Sequence, residues 1–202
     1  MEYDIREPKQ QRAILKKESI IDAGFKCICD NGYHNTNTAE IAKEANVSTG
    51  IIYQYFKDKH DILIAGLEKY GEDIFFPIIR IEKVDLKKDF ENTMKSMIKE
   101  YINNHKISKV AHEEITSMVH SDSDVAEYFY KKELESTDRV TNYLLNNGFK
   151  DDNLQEKVHI SMGLIDNLCH EVIYHKHKKM DYDKMTDLVI ELIIGLFKND
   201  IK

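Results

Sequence analysis

Apolar residues recur along this chain at the three-and-four spacing of an amphipathic helix. Between Lys9 and about Asn31, the residues Ala13, Ile14, Ile20, Ile21, Phe25 and Ile28 fall on one helical side. Gly32 follows and suits the left-handed position that closes a helix. Two short stretches come next. Thr38 is placed to cap a helix over Ala39–Ala45, and Ser48 to cap another from Thr49 to about Phe56. Between them Ala45-Asn46-Val47 reads as a tight turn, with Asn46 in the left-handed backbone that asparagine tolerates. Asp58 can cap a longer helix running to about Phe76, which Pro77 ends or kinks. The pattern predicts further helices over about 86–104, 107–120, 123–147, 153–178 and 182–199, with Asn146-Asn147-Gly148 as one connection. The expectation is an all-α protein: a three-helix helix-turn-helix domain over residues 1–58, then a helical bundle over 59–202.

The last two helices are apolar over more than one face. On the first, Val158, Met162, Ile165, Cys169 and Val172 share a stripe, widened by Leu164, Leu168 and Ile173. On the second, Met185, Leu188, Leu192 and Leu196 share one, flanked by Val189, Ile193 and Phe197, with Ile190 and Ile194 further round. A one-sided surface helix needs less. Either these helices are wholly buried, or one side packs inward while the other meets a second copy of the chain. The second reading is preferred, because a helix-turn-helix works on paired half-sites. Gly163 and Gly195 would let helices approach closely there.

Composition supports the helical reading, with only Pro8 and Pro77 and eight glycines among 202 residues. The first eight residues read as a polar arm. No apolar run is long enough to span a membrane, and the charged N-terminus has no secretory apolar core. Three cysteines (Cys27, Cys29 and Cys169) do not suggest a disulfide framework, so a cytoplasmic location is expected. The net charge of −7 argues against contact with a polyanion. Its distribution removes the objection. Residues 1–60 carry nine Lys/Arg and nine Asp/Glu, whereas residues 61–202 carry 20 and 27. The acidity therefore lies in the C-terminal part.

The chemistry concentrates between Thr38 and Lys59. Two short helices across a tight turn are what a helix-turn-helix requires, with Ile41, Ala45, Val47, Ile52 and Phe56 as its small core. Ser48 and Thr49 begin the second helix, where free N–H groups favour phosphate. Gly50 lets the backbone approach a groove. Gln54 can pair bidentately with adenine, which makes it the leading base reader. Tyr53 and Tyr55 suit phosphates or thymine methyl neighbours, and Thr38 and Lys59 suit phosphate contacts. Each residue alone is an ordinary polar surface residue; the ordered combination is what points to double-stranded DNA.

From about Arg12 to Leu63 the chain resembles the tetracycline-repressor family of bacterial regulators. The resemblance lies in Gly32-Tyr33, Thr36, Thr38, Ile41-Ala42, Ala45-Asn46-Val47-Ser48, Gly50, Ile52-Tyr53, Tyr55-Phe56, Lys59 and Leu63. Asn46 stands where the family often has glycine, and Gly24 where alanine is usual. The resemblance implies an all-helical homodimer whose first three helices bind a pseudo-palindromic operator. It also implies C-terminal helices that enclose a small-molecule effector, and a four-helix interface made by the last two helices of each subunit. Effector binding would shift the fourth helix, here about 58–76, and release the DNA.

Other signals are weaker. Met94, Met97, Tyr101, Met118, Phe129, Tyr143 and His170 could line an effector pocket, although plain core packing accounts for any one of them. His175-Lys-His177-Lys-Lys reads as a solvated helix end rather than a metal site. No phosphate-binding glycine loop, nucleophile elbow or zinc-protease motif is present, so neither a cofactor nor an enzyme is expected. The leading expectation is a ligand-released repressor. The alternatives are a DNA-binding regulator without an effector, and a helical small-molecule-binding protein that has lost DNA binding.

Overall fold

The computed structural model describes residues 11–75, 90–104, 107–150 and 152–197. Pro8, Pro77 and the side chains of Met94 and Tyr101 lie outside them. The described residues are helical: α1 (Gln11–Asn31), α2 (Thr38–Glu44), α3 (Thr49–Ile52), α4 (Lys59–Gly66), a π turn (Leu67–Gly71), α5 (Glu72–Phe75), α6 (Phe90–Asn104), α7 (Lys109–Met118), α8 (Ser123–Asn146), α9 (Leu154–Tyr174) and α10 (Tyr182–Phe197). None of these helices is long and apolar enough to cross a membrane.

The chain divides into two compact units. One is Met1–Phe75 with Lys106–Lys131, and the other is Phe76–His105 with Lys132–Lys202. This division differs from the expected cut at residue 58. In the first unit α4 packs on α1, and the start of α7 is hydrogen-bonded to the end of α1 through Ser108 N–H and the Cys29 carbonyl at 3.0 Å. The helix after the helix-turn-helix hairpin is thus part of that hairpin's own unit.

The core of the first unit is built from Ile20 and Ala23 of α1, Ile41 and Ala42 of α2, Ala45, Ile52 of α3, Phe56, and Ile62 of α4. Ile20, Ile41, Ile52 and Ile62 are wholly inaccessible to solvent. Burying each such side chain contributes roughly 1.5–3 kcal/mol. Close approach of α1 and α4 depends on glycine: a methyl on Gly24 would meet Ile62, and one on Gly66 would meet Phe25, each at 2.3 Å. Ile14, expected on the inner side of α1, is 41% exposed.

In the second unit Ile98, Val140, Leu144, Phe149, Leu168 and Ile190 are among the buried residues of a core drawn from α6, α8, α9 and α10. The turn after α8 closes as the sequence implied. Gly148 has φ 90°, and the N–H of Phe149 returns to the Leu144 carbonyl at 3.1 Å. α9 ends at Tyr174, short of the expected 178, so His175 to Lys179 form a connection rather than a last helical turn.

On α10 the broad apolar stripe is split. Val189, Ile190, Ile193 and Phe197 are buried, whereas Leu188 and Leu192 are each 60% exposed. α9 likewise exposes Ile160, and a methyl on either Gly163 or Gly195 would meet nothing within 4 Å.

Candidate nucleic-acid interface

Entry into the hairpin is set at its first cap, and the capping residue is Asn37, not Thr38. The Asn37 side chain accepts the N–H groups of Ala39 and Glu40, each at 3.0 Å, while Glu40 accepts the Asn37 N–H at 3.3 Å. This reciprocal capping box needs an acid three residues after the cap. Asn37 has Glu40 at that spacing; Thr38 has Ile41. Thr38 makes a different contact. Its Oγ1 lies 3.2 Å from the Tyr53 hydroxyl, tying the start of α2 to the recognition segment.

The turn behaves as expected. Asn46 is left-handed at φ 53°, and the Val47 N–H reaches the Ala42 carbonyl at 2.9 Å. The recognition segment does not. Its α-helix spans only Thr49–Ile52, and Ser48 at its start makes no side-chain cap. Beyond Ile52 the bonds tighten: Gln54 N–H to Ile51 and Tyr55 N–H to Ile52 are both three-residue steps. Two isoleucines followed by three aromatics in the next five positions have poor helix propensity, and Phe56 is drawn into the core at 3% exposure. The segment therefore continues as a tight turn rather than a full second helix.

The outward set survives this change. Ser48, Gly50 and Gln54 are exposed, and Thr49 and Tyr53 are half-buried. Space around Gly50 is open to 4 Å. Tyr55 is only partly outward, since it packs against the hairpin core.

Lys59 is placed differently from a plain surface cation. Its Nζ donates to the carbonyls of Tyr33 and Thr36 at 2.5 and 2.8 Å and sits 4.3 Å from the centre of the Tyr33 ring. Two of an ammonium's three N–H groups are thereby used. Asp58 caps α4 by accepting the His60 and Asp61 N–H groups, and Asp61 accepts the Lys57 N–H at 2.8 Å. The loop between α1 and α2, the first turn of α4 and the recognition segment are thus joined by a continuous polar path. Lys59→Ala is expected to destabilise the DNA-free protein by about 1–3 kcal/mol, as those carbonyls lose their partner. Thermal unfolding without DNA checks this; an unchanged midpoint would remove the bracing role.

The residues expected to line an effector pocket do not form one set within either unit. Met118 lies in the first unit on an open groove of about 500 Å³, with His34, Val110, Glu113, Glu114, Ser117, Ser121 and Asp122. Phe129, also in the first unit, stacks edge-on against Phe75 at 4.9 Å. Met97 and Tyr143 pack on the core of the second unit, where His170 lies 4.8 Å from the His175 ring. Aromatic and methionine content could not distinguish core from cavity, because both use the same side chains. Burial pushes the thiols of Cys29 and Cys169 up to about 12, with Asp30 and Asp166 adding to it, so neither is a reactive thiolate.

Residues 20–65 match the family model described as "Bacterial regulatory proteins, tetR family". Over 67 residues, 33% of this chain, there is 49% identity to a fatty acid metabolism regulator protein of Bacillus subtilis. Over residues 20–65 the chain is thus similar to the tetR family. That aligned stretch spans only 34% of the Bacillus relative's own length. The likeness of fold extends much further. A putative TetR-family regulator from Mesorhizobium loti superimposes with a TM-score of 0.70 at 18% identity, covering 93% of this chain and 98% of the other. The fatty acid degradation regulator FadR from Bacillus halodurans does so with a TM-score of 0.57 at 26% identity, covering 93% and 96%. The sequence likeness to the Bacillus subtilis protein thus covers a third of this chain, whereas the likeness of fold covers 93% of it.

Proposed function

We propose that this protein is a sequence-specific DNA-binding transcriptional regulator, a non-enzyme that acts as a homodimer on a two-half-site operator. The observation that carries this reading is the braced hairpin with an outward row of Ser48, Thr49, Gly50, Tyr53 and Gln54. Backbone and hydroxyl groups of this row suit phosphates, and the Gln54 amide suits the adenine edge. Thr38, Tyr55 and Lys59 act chiefly by holding the row in place. Selection from random double-stranded DNA tests the reading and would supply an operator. Gln54→Ala is then expected to relax preference at one base position, costing about 1–3 kcal/mol there. A repeated selection with unaltered preference would exclude Gln54 as a reader.

Repression relieved by a small-molecule effector is the finer part of the proposal. It is supported by full-length likeness to a protein named as a fatty acid degradation regulator. In energetic terms an effector must favour the state that binds DNA poorly, and DNA must weaken effector binding by the same factor. Dimerisation is supported by exposed apolar residues on both last helices, Ile160 on α9 and Leu188 and Leu192 on α10, each helix also carrying an open glycine, Gly163 or Gly195.

A further inference from the structure

Within the first unit, the loop that leads into the helix-turn-helix hairpin is held from two sides. On one side Lys59 of α4 donates to the Tyr33 and Thr36 carbonyls. On the other side stands α7. His34 lies in the turn between α1 and α2, where a backbone N–H has no carbonyl of its own helix to use. It donates instead to Oε2 of Glu114, 80 residues further along the chain, at 3.0 Å. Glu114 is half-buried. The acid beside it, Glu113, is turned to Lys109 at 3.6 Å. Two features bring α7 this close. The Ser108 N–H donates to the Cys29 carbonyl at 3.0 Å, while Ser108 Oγ starts α7 by accepting the Ala111 N–H at 3.2 Å. Gly32 leaves the room: a methyl there would meet Val110 at 2.8 Å and the Glu114 carboxylate at 2.9 and 3.1 Å. From His34 the chain runs on to the Asn37 cap of α2, and Thr38 contacts the Tyr53 hydroxyl in the recognition segment.

We propose that Glu114 is a positioning residue for DNA binding. By accepting the His34 N–H it fixes the loop between α1 and α2, and through that loop the placement of the outward row that includes Gln54. This rests on the DNA-binding function proposed above. Polar contacts tie the loop to three helices. Thr36 Oγ1 donates to the Cys27 and Gly32 carbonyls at the end of α1, Lys59 ties the loop to α4, and Glu114 ties it to α7. Without the last tie the hairpin stays folded, because its apolar core is drawn from α1 to α4. What widens is the range of positions open to α2 and the recognition segment. A hydrogen bond to a base edge weakens steeply with misalignment, whereas attraction to phosphate falls slowly with distance. Base reading should therefore suffer and general affinity should not. The sign of the effect is also distinctive. Glu114 adds an acidic side chain to a unit that meets a polyanion, so charge alone predicts tighter binding once it is removed. Positioning predicts weaker binding when the accepting oxygen is lost, and no loss when it is kept.

The test compares the full-length wild-type chain with Glu114→Gln and Glu114→Ala. Both variants remove the acid, but only glutamine keeps an oxygen that can accept the His34 N–H. Affinity for an operator selected on wild type should be about three- to tenfold weaker for Glu114→Ala than for Glu114→Gln, the range that one hydrogen bond supplies. On random duplex DNA the two variants should bind alike. Hydrogen exchange without DNA should show the His34 amide exchanging faster in Glu114→Ala than in wild type or Glu114→Gln. Equal operator affinity of the two variants overturns the positioning role, even if the alanine variant unfolds at a lower temperature. An equal loss on operator and random DNA overturns it as well, since base reading would then be untouched. Unchanged exchange of the His34 amide overturns the contact itself, whatever DNA does. If no DNA can be selected, the function proposed above falls and this role with it, while amide exchange still decides whether Glu114 holds the loop.

Discussion

Replacing Leu188 and Leu192 together by lysine should leave a folded monomer that has lost about a hundredfold or more in affinity for a two-half-site operator. Both leucines are 60% exposed in the single chain, while their helix is anchored by Val189, Ile190, Ile193 and Phe197 on its other side. The substitutions therefore spare the core. In a twofold interface each change occurs twice, so four apolar side chains are lost and like charges are brought together. At roughly 1–2 kcal/mol per partly buried leucine, the loss is on the order of 5 kcal/mol before repulsion. That is enough to dissociate a dimer at micromolar concentration. The DNA effect follows from linkage of two half-sites: the second contact is intramolecular in a dimer and bimolecular in a monomer, a difference of about 10²–10⁴. Sedimentation reads the mass, and titration of a whole operator beside a single half-site reads the affinities. A variant that still sediments as a dimer would place the interface elsewhere on the molecule.

The second large effect is expected at Gly66. A methyl there would lie 2.3, 2.7 and 2.8 Å from three atoms of Phe25, including its Cβ. Phe25 has little room to yield, since it is 4% exposed and its ring stacks on Tyr70 at 5.5 Å. Overpacking of this kind costs about 1–3 kcal/mol. Alanine recovers up to about 1 kcal/mol through its better helix propensity, so Gly66→Ala should be mildly destabilising. Gly66→Val adds bulk and β-branching without that gain, and should cost about 3 kcal/mol or more. For a chain of this size that lowers the unfolding midpoint by roughly 6–12 °C. Equal midpoints for glycine and valine would mean that α1 and α4 are not packed as described.

The readable parts of the sequence were those governed by neighbours three or four positions away. The left-handed Asn46, the closing Gly32 and the Asp58 cap all appear where their local chemistry puts them. Asn37 was legible too, through Glu40 three residues on, but Thr38 has the side chain of a cap and stands one position away. The outward row at Ser48, Gly50 and Gln54 followed from the motif's spacing. The two-sidedness of α10 also showed in its apolar pattern, although the pattern could not say which leucines would be left outside.

What the sequence by itself determined, then, is the helical alphabet of this protein and the place of its helix-turn-helix hairpin. Those depend on backbone propensity, capping and short-range spacing. Tertiary packing decided the rest. It turned Lys59 onto the Tyr33 and Thr36 carbonyls, cut α3 short by drawing Phe56 inward, and made α4 part of the hairpin's own unit. It placed Met118 and Phe129 in one compact unit and Met97, Tyr143 and His170 in the other, and it set His60 against Asp122. Contacts between residues far apart in sequence are chosen by the free energy of the assembled core, to which no short window of sequence has access.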